Sequence, residues 1–124
     1  MADAKKILIV DDEQDELTWL TAFFTDNGHQ TDTAVDGKEG FAKAKGTDLI
    51  TLDITMDNQS GVKMFKQLQG DPETKDIPVI LITGVAREFK TFLERTKQVE
   101  APQGYFEKPV DRAALLAKVK ELIG

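Results

Sequence analysis

The chain has 124 residues, of which 40% are hydrophobic and 31% are charged, and its formal net charge is −6. A chain of this length fits one domain and can bury a core without a metal or a disulfide. The absence of Cys excludes a disulfide scaffold, a thiolate metal site and a cysteine nucleophile. The acidic balance argues against direct binding to nucleic acid or to an anionic membrane surface. Because the apolar runs are short, we expect no membrane span or signal peptide, and the absence of Cys fits a reducing compartment. We therefore expect one cytoplasmic domain over residues 1–124.

Along the chain, short apolar runs typical of buried strands alternate with segments of helical period. The predicted strands are Lys5–Val10, Gln30–Val35, Asp48–Asp53, Pro78–Thr83 and Tyr105–Glu107. The predicted helices are a segment over Leu17–Phe24 that stops at Asn27-Gly28, then Lys38–Lys45, Ser60–Leu68, Arg87–Val99 and a last helix capped by Asp111. This alternation predicts an α/β fold, a doubly wound parallel sheet of five strands with five helices on its two faces. Right-handed crossovers leave few topologies, and among them we expect the flavodoxin-like order 2-1-3-4-5.

Polar side chains follow four of the predicted strands. The first strand ends at Asp11-Asp12, the third at Asp53 and the fourth at Thr83, and the fifth runs into Lys108. Ligands of doubly wound sheets bind outside the carboxyl ends of the strands, so we expect these side chains to converge there. Each motif alone is commonly a turn or a cap, but their joint placement favours a site. Clustered carboxylates repel one another, and they suit a hard divalent cation such as Mg²⁺.

With these motifs in this order, the chain resembles the receiver domain of bacterial two-component response regulators over essentially its full length. The matching segments are Asp11-Asp12 after Ile-Leu-Ile-Val, Leu-Asp53-Ile-Thr-Met with Gly61 eight residues after Asp53, Asp-Ile-Pro-Val-Ile-Leu-Ile-Thr83-Gly84, and Gly-Tyr105-Phe-Glu-Lys108-Pro109. The resemblance implies the same strand order. It also implies a signalling switch that catalyses only its own phosphorylation and dephosphorylation, and not a metabolic enzyme.

The resemblance further implies a role for each acidic position. Asp53 is the expected phosphoacceptor, which takes a phosphoryl group from the phosphohistidine of a sensor histidine kinase or a phosphotransfer protein. Asp12 and Asp53 would ligate Mg²⁺ directly, Asp11 would do so through a water, and Thr55 would contribute its backbone carbonyl. A carboxylate can attack phosphorus to give an acyl phosphate, so the chemistry agrees with the implied role.

The remaining implied roles concern the phosphoryl group and the output. Lys108 would pair with the phosphoryl group, Thr83 would hydrogen-bond to it, and Tyr105 would be the switch aromatic. A downstream protein target would bind the face formed by the 87–99 helix, the fifth strand and the last helix, and a homodimer that forms on phosphorylation is a further expectation. The Met1-Ala2-Asp3 start favours an N-terminal position for this domain, either as a stand-alone receiver or within a longer chain.

Two features depart from the family pattern. The position four residues after Asp53 is usually Pro and is Asp57 here, for which a solvated loop carboxylate is the favoured interpretation over a water-mediated metal contact. The segment from Thr83 to Lys108 is also a few residues longer than in minimal members of the family. This second departure bears on the output face beside the 87–99 helix.

Two other classes of protein compete with the receiver hypothesis. A phosphatase similar to the haloacid dehalogenases also uses a strand-ending Asp and Mg²⁺, but it has a second Asp two residues later, where this chain has Thr55. A flavin-binding module of the flavodoxin type needs a phosphate-cradling Ser/Thr/Gly loop after the first strand, where Asp11-Asp12 stands instead. Turnover of a generic phosphate substrate would favour the phosphatase over the receiver hypothesis, and a yellow colour from bound flavin would favour the flavin-binding module.

Overall fold

The computed structural model describes residues 4–54, 60–84 and 102–124. Its strands are β1 (Lys6–Val10), β2 (Gln30–Ala34), β3 (Leu49–Asp53), β4 (Val79–Thr83) and β5 (Gly104–Glu107). Its helices in the described ranges are α1 (Gln14–Asp26), α2 (Gly37–Ala44), α3 (Ser60–Gly70) and α4 (Arg112–Ile123). Every predicted strand is therefore confirmed to within one residue at each end. The predicted helix over Arg87–Val99 lies outside the described residues, as do Thr55 and Asp57.

The strands form one parallel sheet in the order β2-β1-β3-β4-β5, which confirms the predicted topology. The register pairs Lys6 with Gln30, Ile7 with Leu49, Ile50 with Val79 and Ile80 with Gly104. Because each crossover returns the chain to the same end of the sheet, all carboxyl ends open on one side. We call this side the carboxyl edge.

Backbone hydrogen bonds continue for one residue past the ends of β1 and β5 and hold the carboxyl edge in place. The N–H of Asp11 donates to the carbonyl of Ala34 at 3.0 Å. The N–H of Lys108 donates to the carbonyl of Thr83 at 2.7 Å. The residues that leave the strands are thus still tied to their neighbours, and their side chains start from fixed positions.

Apolar side chains fill both faces of the sheet, as expected for a parallel sheet covered on both sides. On one face α2 and α3 pack over the strands, in a core of Leu8, Val10, Ala34, Ala44, Ile50, Leu52, Ile54, Met64, Phe65, Leu68, Val79 and Leu81. On the other face α1 and α4 pack over a core of Ile7, Ile9, Leu17, Leu20, Phe24, Leu49, Ile80, Ile82, Leu115 and Val119. Successive side chains of each strand point to opposite faces of the sheet, with the period of two that a pleated strand imposes.

The helix signals in the sequence have direct structural counterparts. α1 ends before Asn27-Gly28, and Gly28 takes the left-handed conformation, with φ +89°, that favours glycine. α4 begins after Asp111, whose side chain accepts a hydrogen bond from the N–H of Ala114 at 3.1 Å, as predicted for an N-cap. No helix within the described ranges has the length and apolar character needed to cross a membrane.

Candidate functional site

An ion-pair network lies at the carboxyl edge between β1, β3 and the residue that follows β5. The ammonium Nζ of Lys108 lies 3.1 Å from Oδ2 of Asp11 and 3.3 Å from Oδ2 of Asp53. The Asp11 and Asp53 side chains are only 2% and 1% exposed, whereas Lys108 is 13% exposed. Buried carboxylates of this kind need a compensating charge, and Lys108 supplies it.

Strand geometry accounts for the positions of these three groups. Asp53 is the last residue of β3, Asp11 directly follows β1, and the two strands are neighbours in the sheet. Lys108 follows β5, and its peptide bond with Pro109 is cis. The second carboxylate oxygen of Asp11, Oδ1, accepts a hydrogen bond from the N–H of Glu13 at 2.9 Å, which fixes the turn into α1.

Four carboxylates are grouped around this network. Asp11, Asp12, Glu13 and Asp53 each offer one carboxylate oxygen, and these oxygens all lie within 4.8 Å of one another. Asp12 and Glu13 are exposed, so the group opens to solvent on one side. An all-oxygen donor set with a surplus of negative charge fits Mg²⁺, which binds a few carboxylates and keeps several waters.

The charges shift the pKa of two groups in the network. Burial raises the pKa of Asp11 to about 7, and repulsion from Asp53 adds to this, while the N–H of Glu13 and the ammonium of Lys108 oppose it. Burial alone would lower the pKa of Lys108, but the carboxylates of Asp11, Asp53 and Glu13 outweigh it, so that pKa lies above its ordinary value. Lys108 is therefore a permanent cation, and Asp11 titrates near neutral pH.

The two residues expected to carry the switch lie on neighbouring strands. Thr83 is the last residue of β4 and is completely buried. Tyr105, in β5, pairs with Leu81, and its ring packs against the core beneath α2 and α3. The hydroxyl oxygen of Tyr105 is buried, so in this state the ring does not project its hydroxyl into solvent.

The structure thus brings together Asp11, Asp12, Asp53 and Lys108, as the strand-end argument predicts. Thr55 lies outside the described residues, so its backbone carbonyl remains a prediction. Sequence reasoning missed Glu13, whose Oε1 lies 3.3 Å from Nζ of Lys108. The sequence feature that could have pointed to Glu13 is its position directly after Asp11-Asp12.

Comparison with known proteins identifies the family. The model of the family "Response regulator receiver domain" matches residues 7–120. Protein PilH of Pseudomonas aeruginosa is 36% identical over 121 residues, which cover 95% of this chain and 97% of PilH. The chain belongs to the response regulator receiver domain family. Membership of this family favours the receiver hypothesis over a phosphatase similar to the haloacid dehalogenases.

Other relatives place the receiver domain in proteins of different length. Chemotaxis protein CheY of Treponema pallidum is 30% identical, and the match covers 95% of this chain and 82% of that protein. Response regulator PleD of Caulobacter vibrioides is 32% identical, but the chain spans only 26% of its length. Among solved structures, chemotaxis protein CheY4 of Vibrio cholerae superposes with a TM-score of 0.83 at 28% identity, covering 97% of this receiver and 99% of CheY4. The receiver fold is therefore shared across nearly the whole chain.

Proposed function

We propose that residues 1–124 form one receiver domain and that Asp53 is its phosphoacceptor. In the proposed reaction, a carboxylate oxygen of Asp53 forms a bond to the phosphorus of a phosphohistidine while the P–N bond breaks. The imidazole leaves with the electron pair of that bond and takes up a proton. The donor is a sensor histidine kinase or a phosphotransfer protein, the kind of partner that receiver domains have.

The contact between Lys108 and Asp53 is the observation that carries this proposal. Asp53 is 1% exposed, yet its Oδ2 lies 3.3 Å from an ammonium group that is itself partly open to solvent. A phosphoryl group added to this carboxylate brings about two negative charges next to Lys108. Lys108 would then neutralise charge on the phosphoryl oxygens, which is the main contribution that a protein makes to phosphoryl transfer.

Mg²⁺ fits the same residues in this proposal. Asp12 and Asp53 would ligate the cation directly, Asp11 would do so through a water, and the backbone carbonyl of Thr55 would complete the protein ligands that the family suggests. When bound, the cation supplies charge neutralisation to the phosphoryl oxygens. The surplus of carboxylates over Lys108 supports this assignment, because among the described residues one ammonium is paired with a cluster of four acidic groups.

The output of the proposed switch runs through Thr83 and Tyr105. The hydroxyl of Thr83 would donate a hydrogen bond to the phosphoryl group, and the ring of Tyr105 would change its packing against the core in response. The surface that would change includes β5 and α4, and its partner would be a downstream protein; the 87–99 part of the expected output face lies outside the described residues. Tyr105 lies in β5, two strands from Asp53, and Thr83 at the end of β4 lies on the strand between them, which supports this coupling.

Phosphorylation by a small acyl phosphate with Mg²⁺ tests the assignment of Asp53. Intact mass spectrometry should show one added phosphoryl group on the wild type, stable in acid and removed by hydroxylamine. Asp53→Asn should show none, because it lacks the nucleophilic carboxylate. Asp26→Asn, which removes an exposed carboxylate at the end of α1, is the matched control and should label like the wild type. Equal labelling of Asp53→Asn and the wild type would contradict the assignment.

A further inference from the structure

Lys108 has a third carboxylate partner besides Asp11 and Asp53. Its ammonium lies 3.3 Å from Oε1 of Glu13, in addition to the contacts with the two aspartates. An ammonium group has three N–H donors, so these acceptors occupy all of them. A phosphoryl group that approaches Asp53, before its bond to the carboxylate forms, therefore meets no free donor on Lys108 unless one of these contacts breaks.

Of the three acceptors, Glu13 is the one that can leave. Asp11 and Asp53 are almost fully buried at strand ends, whereas the Glu13 side chain is 61% exposed. The backbone of Glu13 is held by the hydrogen bond from its N–H to Asp11, so only its flexible side chain has to move.

The local role of Glu13 in α1 does not account for this contact. Glu13 occupies the N-cap position of α1, but its side chain makes no capping hydrogen bond with the residues described. Its carboxylate instead reaches across to Lys108, which is 95 residues away in the sequence. A carboxylate near a helix N-terminus is favourable wherever it points, so the dipole of α1 does not explain the direction it takes.

We propose that Glu13 is a positioning residue that occupies Lys108 in the unphosphorylated state and yields its place to the incoming phosphoryl group. This inference rests on the proposed function of Asp53 and Lys108. Glu13 acts through Lys108 and not on the phosphorus. It holds the ammonium at the carboxyl edge before the reaction, and it lowers the rate because its contact must break first.

The test is the rate of phosphorylation by a small acyl phosphate at limiting donor concentration and saturating Mg²⁺, followed by intact mass spectrometry. Glu13→Gln should be phosphorylated about two- to fivefold faster than the wild type, the range that loss of an exposed ion pair gives. Glu13→Asp keeps the negative charge at the start of α1 but shortens the side chain, so it should also be faster. Asp15→Asn removes a charge from the first turn of α1 and should match the wild type.

A second measurement reports the contact directly in the unphosphorylated protein without metal. In ¹⁵N-edited spectra, the ammonium hydrogens of Lys108 should exchange with water faster in Glu13→Gln and Glu13→Asp than in the wild type, because Gln offers only a weaker, uncharged acceptor and Asp is one methylene shorter. The exchange should be unchanged in Asp15→Asn. An effect of Glu13 only on the stability of α1 would leave this signal as it is.

The outcomes separate this inference from the proposed function. An unchanged or slower rate in Glu13→Gln would overturn the role of Glu13 and leave Asp53 as the phosphoacceptor. A Glu13→Asp rate equal to the wild type, with Asp15→Asn as fast as Glu13→Gln, would show a general effect of charge and would also overturn it. A wild type that takes up no phosphoryl group would overturn the proposed function and this inference with it.

Discussion

The middle of the sheet and its carboxyl edge both bury their side chains, but with opposite chemistry. In the middle, strands β1, β3 and β4 contribute almost only aliphatic residues, and each packs under helices on both faces. At the carboxyl edge, Asp11 and Asp53 are as well buried as the aliphatic residues, yet they are acidic and close together. Burial stabilises the fold in the middle through the hydrophobic effect, and it costs stability at the edge through desolvation and repulsion. The difference indicates which end of the sheet is built to bind a ligand.

The largest expected effect concerns pH. Asp11 has a pKa near 3.8 in the unfolded chain and about 7 in the fold, so between these values unfolding releases a proton. The free energy of unfolding should therefore fall as the pH rises through this window, and it levels off about one pH unit above 7, once Asp11 is ionised in the fold as well. Asp11→Asn removes this titration. Urea unfolding without metal should give a shallower dependence on pH for the variant than for the wild type.

The slope of this pH dependence is the decisive quantity, because Asp11→Asn also weakens the contact with Lys108 and so changes stability at every pH. Asp26→Asn serves as a control and should keep the wild-type slope. The same slope in Asp11→Asn and the wild type would mean that burial of Asp11 carries no cost. Burial at the carboxyl edge would then not cost stability, and the edge would not differ from the middle of the sheet in this respect.

A smaller effect is expected where a helix approaches the carboxyl edge. A Cβ atom at Gly61 would collide with the backbone carbonyl oxygen of Asp53 and would lie 2.8 Å from Cα of Ile54. Gly61→Ala should push the start of α3 away from β3 and lower the free energy of unfolding by about 1–3 kcal/mol. Thermal or urea unfolding measures this loss.

Gly70→Ala provides the matched control in the same helix. A Cβ atom at Gly70, the last residue of α3, would meet nothing within 4 Å. This variant should have wild-type stability or a slight gain, because alanine favours helix more than glycine does. Equal losses in both variants would indicate a general sensitivity of α3 and no special closeness at Asp53.

The smallest of the expected effects concerns a polar group in the middle of the sheet. The hydroxyl of Thr51, in β3, is buried and has no hydrogen-bond partner among the residues described, whereas the hydroxyl of Thr74 donates to the carbonyl of Leu68 at 2.9 Å. Thr51→Val should therefore raise the free energy of unfolding by about 1 kcal/mol, and Thr74→Val should lower it by about the same amount. Chemical denaturation compares the two. A loss of stability in Thr51→Val would show that this hydroxyl has a stabilising role.

Sequence reasoning predicts the fold well because buried parallel strands leave a clear pattern, and small errors fall at element ends. β2 ends at Ala34 and not at Val35, because the N–H of Val35 donates to the carboxylate of Glu39 at the start of α2. α3 runs to Gly70, beyond the predicted end at Leu68. Pro72 restricts the conformation of the residue directly before it, so the helix can continue as far as Gly70.

The site is predictable only in part. Strand-end logic brings together Asp11, Asp53 and Lys108, because position in a parallel sheet fixes where each backbone emerges. It does not identify Glu13, since the contact with Lys108 depends on a side-chain direction that strand order leaves open. The pKa of Asp11 likewise depends on burial and on distances between side chains, which a single sequence does not specify.

The central claim is that the carboxylates that destabilise the fold without metal are the ones that create a cation site. Asp12→Asn tests it most directly. Asp12 is exposed, and its substitution removes one charge from the cluster while it keeps the contacts of Lys108 with Asp11 and Asp53. Urea unfolding of the wild type and the variant, above pH 7, should be measured with a chelator and again with saturating Mg²⁺. The variant should be the more stable protein with the chelator and the less stable one with Mg²⁺, because the wild type binds the cation more tightly and tighter binding gives a larger stabilisation by mass action. A variant that is less stable than the wild type in both conditions would contradict the account.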